Sequence, residues 1–217
     1  PFVVRTFEPD LGAVAGRQIL GFARLGKRIV WEFDGELFLV LHLMIAGRLH
    51  WEGKKTRNTL ALLEFDTGTL SLTEAGTKRR ASLHVVAGEG QLEEHDRGGL
   101  EVLGAAPERF RERLSERNHT LKRALTDPTI LSGIGNAYSD EILHRARLSP
   151  MKQTKQLDDE EWQRLYDGTQ EVLTEWIERL RAEAAVSFPE HVTAFRKEMA
   201  VHGRYGLPCP VCGTSIQ

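Results

Sequence analysis

The chain reads NHTLKRALTDPTILSGIGNAYSDEILHRARLSP from residue 118 to residue 150, and this stretch decides the fold of the second half. Asp127-Pro128 predicts a turn, because proline fixes its own φ and disfavours the helical region for the residue before it. Gly133 and Gly135 then predict a tight turn. Asn136 follows and predicts a capped start for a new helix.

A turn of this kind is suited to binding a phosphate. The first amides of a helix have no partner within the helix, and the helix dipole is positive at that end. Lys122 and Arg123, on the preceding helix, would add positive charge near the same anion. The alternative is an ordinary helical hairpin whose glycines serve only close packing, and the spacing alone leaves both open, since short glycine motifs are weak evidence.

The bulk composition is that of a soluble globular protein. The chain has 217 residues, of which 41% are hydrophobic, enough for one large domain or two small ones. No apolar run approaches the roughly 20 residues that span a bilayer, so a membrane role is not expected. The start has no signal-like pattern, which indicates a cytoplasmic protein.

The net charge of −2 argues, by itself, against a nucleic-acid-binding protein. The distribution of charge matters more than the sum. Residues 109–123 contain six basic and two acidic side chains, and residues 77–80 read TKRR, whereas residues 158–161 read DDEE. Each run alone is more typical of a solvated face. Two basic clusters on either side of a phosphate-type turn favour a surface that faces DNA.

The sequence predicts an α+β fold: an antiparallel β-sandwich in residues 1–104, a helical domain in 105–195 and a partial zinc ribbon in 196–217. Turn signals such as Asp34-Gly35 separate short apolar runs in the first part. The predicted strands are Arg28–Phe33, Leu37–Met44, Arg48–Trp51, Thr59–Phe65, Thr69–Thr73 and Ala81–Val86. The predicted helices are Glu108 to about Arg123, Ala137–Arg147 and Leu157 to about Ala185, the last capped by Asp158 or Asp159.

Two cysteines, Cys209 and Cys212, lie near the end of the chain as Cys-Pro-Val-Cys-Gly. Without a secretory signal, this spacing is typical of half a zinc ribbon or of a redox pair rather than of a structural disulfide. Zinc takes four ligands, and no further cysteine follows before Gln217.

The opening stretch resembles the helix–two-turns–helix motif of the formamidopyrimidine-DNA glycosylase / endonuclease VIII family. The resemblance rests on Leu-Thr-Asp at residues 125–127, Gly-Ile-Gly-Asn-Ala-Tyr at 133–138 and Asp-Glu-Ile-Leu at 140–143. It implies that Asn136 and Lys122 hold the DNA phosphates that flank a damaged nucleotide.

The first half also resembles this family. Residues 23–31 are similar to the strand that carries a DNA-contacting lysine at the active site, which places that role on Lys27; an exposed strand lysine is the alternative. His-Leu-Met-Ile-Ala-Gly at residues 42–47 is similar to a loop whose methionine fills the gap left by an extruded base. Here Ile45 stands where that methionine is expected and Met44 precedes it, so the resemblance assigns the apolar wedge to one of these two. Both could equally be buried strand residues.

Two further segments carry expected roles. Residues 74–82 are similar to a loop that contacts the strand opposite the lesion, which implies that Arg79 or Arg80 makes this contact. The phenylalanine wedge of that loop is Ala81 here. Cys209 and Cys212 are similar to the first two ligands of the zinc finger, so one zinc ion is expected, with half of its ligands present in this chain.

The start of the chain departs from the family pattern. The resemblance implies catalysis by an N-terminal proline, whose amine attacks C1′ of the damaged nucleotide to form a Schiff base, assisted by a following glutamate. Pro1 is followed by Phe2, not by an acid, and residues 1–9 resemble an interior stretch of family members. We therefore expect an interior part of a longer protein, with the catalytic helix in front and the rest of the zinc ribbon behind.

The resemblance implies base-excision repair by a bifunctional DNA glycosylase and abasic-site lyase that acts on oxidised bases. Its partner would be double-stranded DNA with oxidised bases or abasic sites, bound in a cleft between the two halves. The protein would act as a monomer in the cytoplasm, at the nucleoid if the source is bacterial. A non-catalytic damaged-DNA-binding protein of the same fold and an RNA-associated helix–two-turns–helix protein are the alternatives.

Overall fold

A computed structural model describes residues 3–75, 77–191 and 193–217. Contacts divide the chain into two units, one of residues 1–96 with 184–192 and the other of residues 97–183 with 193–217. Residues 184–192 belong to the first unit, and within it Glu190 Oε2 lies 3.3 Å from Nδ1 of His50. The domain limits proposed from the sequence, at 104/105 and 195/196, stay a prediction.

The first unit contains two antiparallel sheets, with strand orders β1-β2-β3-β7 and β4-β6-β5. Leu39 of β3, Leu83 of β7 and Leu72 of β6 are buried in one apolar cluster, so the two sheets pack face to face and the predicted antiparallel sandwich is confirmed. The strands in the described residues are β1 (Ile19–Leu25), β2 (Arg28–Phe33), β3 (Leu37–His42), β4 (Gly47–Trp51), β5 (Thr59–Phe65), β6 (Gly68–Glu74) and β7 (Ser82–Ala87).

β3 is covered on both faces, as its continuous apolar sequence predicts. Leu39 and Leu41 face the sandwich core, whereas Phe38 and Val40 join a second cluster beneath the short helix α1 (Gly88–Glu93), which no sequence pattern predicted. β1 was not predicted either, because its exposed Leu20 and Phe22 break the alternation of apolar and polar residues.

The second unit is helical. Its buried apolar residues form one cluster, to which Leu125, Ile142 and Leu165 contribute from three helices. The remaining helices of the described residues are α2 (Pro107–Ser115), α3 (Leu121–Thr126), α4 (Asn136–Ala146) and α5 (Asp159–Ala184).

The predicted single helix from Glu108 to about Arg123 is wrong, since α2 and α3 are separate. The Ser115 hydroxyl donates to the carbonyl of Arg111 at 2.7 Å, a local bond typical of helix ends. Thr120 then adopts an extended conformation, with φ −61° and ψ 146°. The carbonyl of the preceding residue, His119, accepts the amide of Thr154 at 2.9 Å, so a contact from 35 residues downstream holds the break open.

Helix α5 matches its prediction closely. The amide of Glu161 donates to Asp158 Oδ1 at 2.9 Å, and the amide of Asp158 donates to Glu161 Oε2 at 3.1 Å, which is a reciprocal capping box. Trp162 and Trp176 are buried in the helical core, so they are core residues rather than a platform for base stacking. Gly168 faces the end of α4, where an added Cβ would lie 3.4 Å from the amide nitrogen of Ala146.

Candidate nucleic-acid interface

The glycine corner, residues 133–136, connects a backbone bridge to helix α4. Leu131 forms an isolated parallel bridge with Leu100, which fixes the chain just before the corner. Gly133 has φ +83°, a conformation that favours glycine. Gly135 is the N-cap and Asn136 is the first helical residue, so the expectation that Asn136 caps the helix is wrong; the capping position carries no side-chain oxygen.

The corner is accessible to solvent. Ile134 is buried and anchors it, whereas Asn136 is exposed and both glycines are partly exposed. Helix geometry gives the amides of Asn136, Ala137 and Tyr138 no carbonyl within α4 to bond. Together with the positive end of the helix dipole, these amides form a site that can accept an anion.

Lys122 lies beside this corner. Its Nζ donates to the carbonyl oxygen of Asn136 at 2.9 Å and also contacts Asp140 Oδ1 in an ion pair. The amide of Lys122 donates to the Pro150 carbonyl at 3.2 Å, which ties the start of α3 to the loop after α4. The structure thus brings Lys122, Asn136 and both glycines together; their contact with DNA stays a prediction.

A carboxylate network lies directly behind the corner, on the next turn of α4. Glu141 is buried, and it accepts the backbone amides of Ala200, Val201 and His202 at 2.7, 2.9 and 2.9 Å. Its neighbour Asp140 accepts a hydrogen bond from His202 Nδ1 at 2.8 Å. The segment before the cysteine pair is therefore bound to the helix that begins at the corner.

The basic cluster of residues 109–123 is less available for DNA than its charge predicts. Arg109 pairs with Glu112, and Arg111 pairs with Asp159 at 2.7 Å. Arg113 donates to the carbonyls of Gly98 and Thr129 as well as to a carboxylate. These three arginines are held by carboxylates and backbone carbonyls, whereas Lys122 contacts the corner directly through the Asn136 carbonyl.

In the first unit, Lys27 lies in the turn between β1 and β2. Lys27 is exposed as a residue, and partial burial of its ammonium group lowers the pKa of Lys27 from the ordinary value. His42 ends β3, opposite the start of β2. Burial, and then the charges of Arg28 and Lys27, lower the pKa of His42. His42 therefore joins Lys27 as a candidate site residue that the sequence analysis did not single out. The sequence signal for it was its position at the start of the His-Leu motif, residues 42–47.

The loop after β3 presents both candidate wedge residues to solvent. Met44 is 42% exposed and Ile45 is 80% exposed, so the alternative that both are buried in a strand is wrong. The amide of Gly47 donates to the Leu43 carbonyl at 2.9 Å, and a Cβ at Gly47 would lie 2.3 Å from the same oxygen. Only glycine permits this tight turn, which pushes the two apolar side chains outward.

Arg79 and Arg80 are exposed in the loop between β6 and β7. The buried carboxylate of Glu74 holds the end of this loop, since it accepts the amides of Arg80 and Ala81 at 2.8 and 3.1 Å. Ala81, the position at which the resemblance places a phenylalanine wedge, is buried.

The cysteine pair lies in a tight turn. The Cys209 amide donates to the Thr214 carbonyl at 2.8 Å, and the Val211 amide donates to Cys209 Sγ at 3.4 Å. Hydrogen bonds from Thr214 lower the pKa of the Cys212 thiol, which favours the thiolate that zinc requires. Both cysteines are free thiols. The turn therefore fits two zinc ligands, while the described residues contain no group of three or more metal-ligating side chains.

Pro1 lies outside the described residues, so the structure does not test the expectation about the catalytic amine.

Comparison with known proteins gives matches over both units. The family model described as formamidopyrimidine-DNA glycosylase N-terminal domain matches residues 3–83, and the one described as formamidopyrimidine-DNA glycosylase H2TH domain matches residues 103–186. The formamidopyrimidine-DNA glycosylase of Heliobacterium modesticaldum is 36% identical over 220 residues, which cover 94% of this chain and 78% of that protein.

Solved structures agree with these matches. The crystal structure of the MutM (Fpg) protein from Thermus thermophilus has a TM-score of 0.78 and 33% identity, covering 99% of this chain and 81% of that one. The complex of Lactococcus lactis Fpg with DNA containing FAPY-dG has a TM-score of 0.86 and 25% identity, covering 100% and 83%. With the family's N-terminal and helical domains both matched, and with relatives of this identity, the chain belongs to the formamidopyrimidine-DNA glycosylase / endonuclease VIII family.

Proposed function

We propose that this protein is a DNA repair enzyme that excises oxidised bases from double-stranded DNA and then cleaves the abasic site. The observation that carries the proposal is the exposed glycine corner, with Lys122 Nζ held 2.9 Å from the carbonyl oxygen of Asn136. Its family membership supports the same conclusion, as does the Lactococcus lactis relative bound to DNA that contains a formamidopyrimidine lesion.

The corner would hold the sugar-phosphate backbone beside the lesion. Amides at the start of α4 and the Lys122 ammonium are sequence-independent phosphate donors, which position the DNA without reading bases. This suits an enzyme that must search all sequences for damage. Gly133 and Gly135 would allow the phosphate to approach the backbone closely, and Asn136 would donate from its exposed side chain.

The first unit would act on the damaged nucleotide. An extruded nucleotide leaves a gap in the duplex, at a cost of a few kcal/mol in stacking and pairing. The exposed Met44 or Ile45 would fill this gap as an apolar wedge, and Arg79 or Arg80 would contact the opposite strand. Lys27 would contact the DNA at the active site, where its lowered pKa reflects a partly desolvated ammonium.

The chemistry, as the family resemblance implies, belongs to the secondary amine of an N-terminal proline. The amine nitrogen bonds to C1′, the glycosidic bond breaks, and the base leaves with a proton supplied by an acid. The amine then loses its remaining proton, the C1′–O4′ bond of the sugar ring breaks with protonation of O4′, and the nitrogen lone pair completes an iminium to C1′. The iminium makes the neighbouring C2′ proton acidic, so elimination of the 3′ phosphate follows, and hydrolysis of the iminium releases the enzyme. The residues described in this structure contribute binding and orientation to these steps.

Cys209 and Cys212 would supply two of the four ligands of one structural zinc ion. Zinc there would hold the finger in place and takes no part in the reaction. No helix among the described residues has the length and apolar character to cross a bilayer. We propose a monomer that works where the chromosome lies, in the cytoplasm and at the nucleoid in a bacterium.

Borohydride trapping tests the enzymatic proposal. Protein made from its complete coding sequence is mixed with a duplex that carries an oxidised base or an abasic site, and borohydride reduces the Schiff base to a stable bond. We expect a covalent protein–DNA adduct that is lost when the N-terminal amine is blocked by acetylation, because an acetylated nitrogen cannot attack C1′.

The control duplex is undamaged and should give no adduct. Tight binding to damaged duplex without any adduct would instead identify a non-catalytic damage-binding protein of the same fold. Preference for structured RNA over abasic duplex in a competition assay would overturn the DNA assignment.

A further inference from the structure

We infer that Asp140 is a positioning residue that fixes the phosphate-gripping Lys122 in its binding conformation, and that His202 in turn fixes Asp140. The inference rests on the proposed phosphate grip and deepens it. Asp140 itself bears the wrong charge to contact a phosphate, so its effect on DNA binding must act through the lysine.

The hydrogen-bond donors of Lys122 are mostly occupied. A lysine ammonium has three N–H groups. One donates to the Asn136 carbonyl at 2.9 Å and a second to Asp140 Oδ1. Within residues 3–75, 77–191 and 193–217, no other acceptor lies within hydrogen-bond reach of Nζ. Two of the three N–H groups are therefore held by acceptors of α4 beside the glycine corner, and one N–H remains for a ligand.

The Lys122 side chain is already ordered in the folded protein. Lysine side chains have high rotamer entropy, which a binding event must remove. The side chain of Lys122 is only 26% exposed, and its ion pair with Asp140 holds it next to the corner before any ligand arrives. The conformational entropy of the Lys122 side chain is therefore lost during folding rather than during DNA binding.

The Asp140 carboxylate is itself held in place by His202. Asp140 Oδ2 accepts Nδ1–H of His202 at 2.8 Å, and the two partners lie 62 residues apart in sequence. The His202 ring packs against Phe195, with ring centroids 4.7 Å apart, and the His202 amide donates to Glu141. The segment that leads to the cysteine pair thus holds Oδ2 of Asp140 through His202, while Lys122 contacts Oδ1.

Asp140→Asn distinguishes a positioning role from a purely electrostatic one, because the two roles predict opposite changes in DNA affinity. If Asp140 only adds negative charge near the DNA, its removal strengthens binding, since a like charge next to phosphate is unfavourable. If it positions Lys122, the substitution weakens binding by about three- to tenfold, the loss expected when one side chain must be ordered on binding.

The experiment measures the Kd for a duplex of about 20 bp with an abasic-site analogue, by fluorescence anisotropy at fixed salt. It compares the wild type with Asp140→Asn, Lys122→Ala and the double variant. We expect Asp140→Asn to weaken binding in the wild type but not in the Lys122→Ala background, because the carboxylate then has no lysine to position. Asp140→Glu should bind more tightly than Asp140→Asn.

Glu178→Gln is the matched control, since it removes one exposed negative charge from the same unit far along α5; it should not weaken binding. Equal or tighter binding by Asp140→Asn, alongside weaker binding by Lys122→Ala, would overturn the inference and leave the phosphate grip intact. Unchanged DNA binding by Lys122→Ala would overturn both the role of Asp140 and the proposed phosphate-binding role of Lys122.

Thermal unfolding of each variant shows whether a loss of binding reflects a loss of fold. Should Asp140→Asn fail to unfold cooperatively, His202→Phe replaces it. This variant keeps a ring against Phe195 but removes the hydrogen bond to Asp140, and we expect a smaller loss of affinity than for Asp140→Asn. Wild-type affinity in a folded His202→Phe variant would contradict the role of His202.

Discussion

Lys122 and Asn136 show what single residues contribute to the candidate interface. One supplies a full charge and the other an exposed amide, and the carbonyl of Asn136 accepts from the lysine at 2.9 Å. Asn136 begins α4, whose first amides have no partner within the helix, and the ammonium of Lys122, on α3, lies beside it, so the proposed site offers several donors to one phosphate.

Replacing either residue with alanine should weaken DNA binding to a similar extent for all sequences. Lys122→Ala should also reduce the slope of log K against log salt concentration by about 1, the change expected for one lost phosphate contact. Asn136→Ala should reduce the slope less, because the amide is neutral. Salt titrations followed by fluorescence anisotropy measure both quantities.

Arg181→Ala serves as the control for this pair, since it removes one positive charge from the exposed end of α5. An unchanged slope and affinity in both corner variants would remove the phosphate-binding assignment.

His84 gives a prediction at the same scale about stability. It lies on β7, opposite Val40, and its ring is 4.7 Å from that of His95. Burial, followed by the charges of His95, Arg28 and Arg5, lowers the pKa of His84 to about 4. The folded protein therefore keeps this imidazole neutral over a range in which the unfolded chain is already protonated.

The free energy of unfolding should fall as the pH drops from about 6.5 towards 4, because the unfolded state binds the proton first. His84→Gln should flatten this dependence, with a remainder from His42 and His95, whose pKa values are also lowered. Urea unfolding at about pH 7 and about pH 5 measures the effect. A variant with the same pH dependence as the wild type would contradict it.

At the scale of elements, helix α4 connects the corner to the rest of the second unit. Its first turn follows the glycine corner, its second turn holds Asp140 and Glu141, and its end packs against Gly168 of α5. Arg147 ends the helix with φ 55° and ψ 44°, and the Leu148 amide donates to the Leu143 carbonyl at 3.0 Å. This is a helix end that usually contains glycine.

Arg147→Gly should stabilise the protein by about 1 kcal/mol, because the left-handed conformation strains a residue that has a Cβ. Arg147→Ala keeps the Cβ and removes the guanidinium, so it should give no such gain. Chemical denaturation of the three proteins gives the free energies of unfolding. Equal stabilities for the glycine and alanine variants would rule out backbone strain as the cause.

For the whole molecule, the net charge of −2 conceals a separation of charged groups. Arg109 and Arg111 of the basic cluster are paired with carboxylates, while Lys27, Arg28 and His42 share a small area of the first unit. Binding to a polyanion depends on such local fields rather than on the sum of charges. A mildly acidic protein can therefore be a DNA-binding protein.

Local sequence patterns were sufficient for much of the fold. β2 and β5 lie where their apolar runs predicted, and α5 begins after its capping aspartate, because strands, turns and caps depend on neighbours in the chain. The corner was also predictable, since only glycine favours the φ of +83° at Gly133. The family resemblance of this stretch needed no coordinates.

Contacts between distant residues decided the rest. The break between α2 and α3 depends on Thr154, and the exposure of Met44 depends on a turn that only Gly47 permits. The Lys122–Asp140–His202 chain joins partners 18 and 62 residues apart. No local pattern encodes such pairs, because their hydrogen bonds form only after the helices and the segment before the cysteine pair have packed. The sequence by itself determined where the proposed phosphate-binding corner lies; only the tertiary structure decided which side chains hold Lys122 beside it.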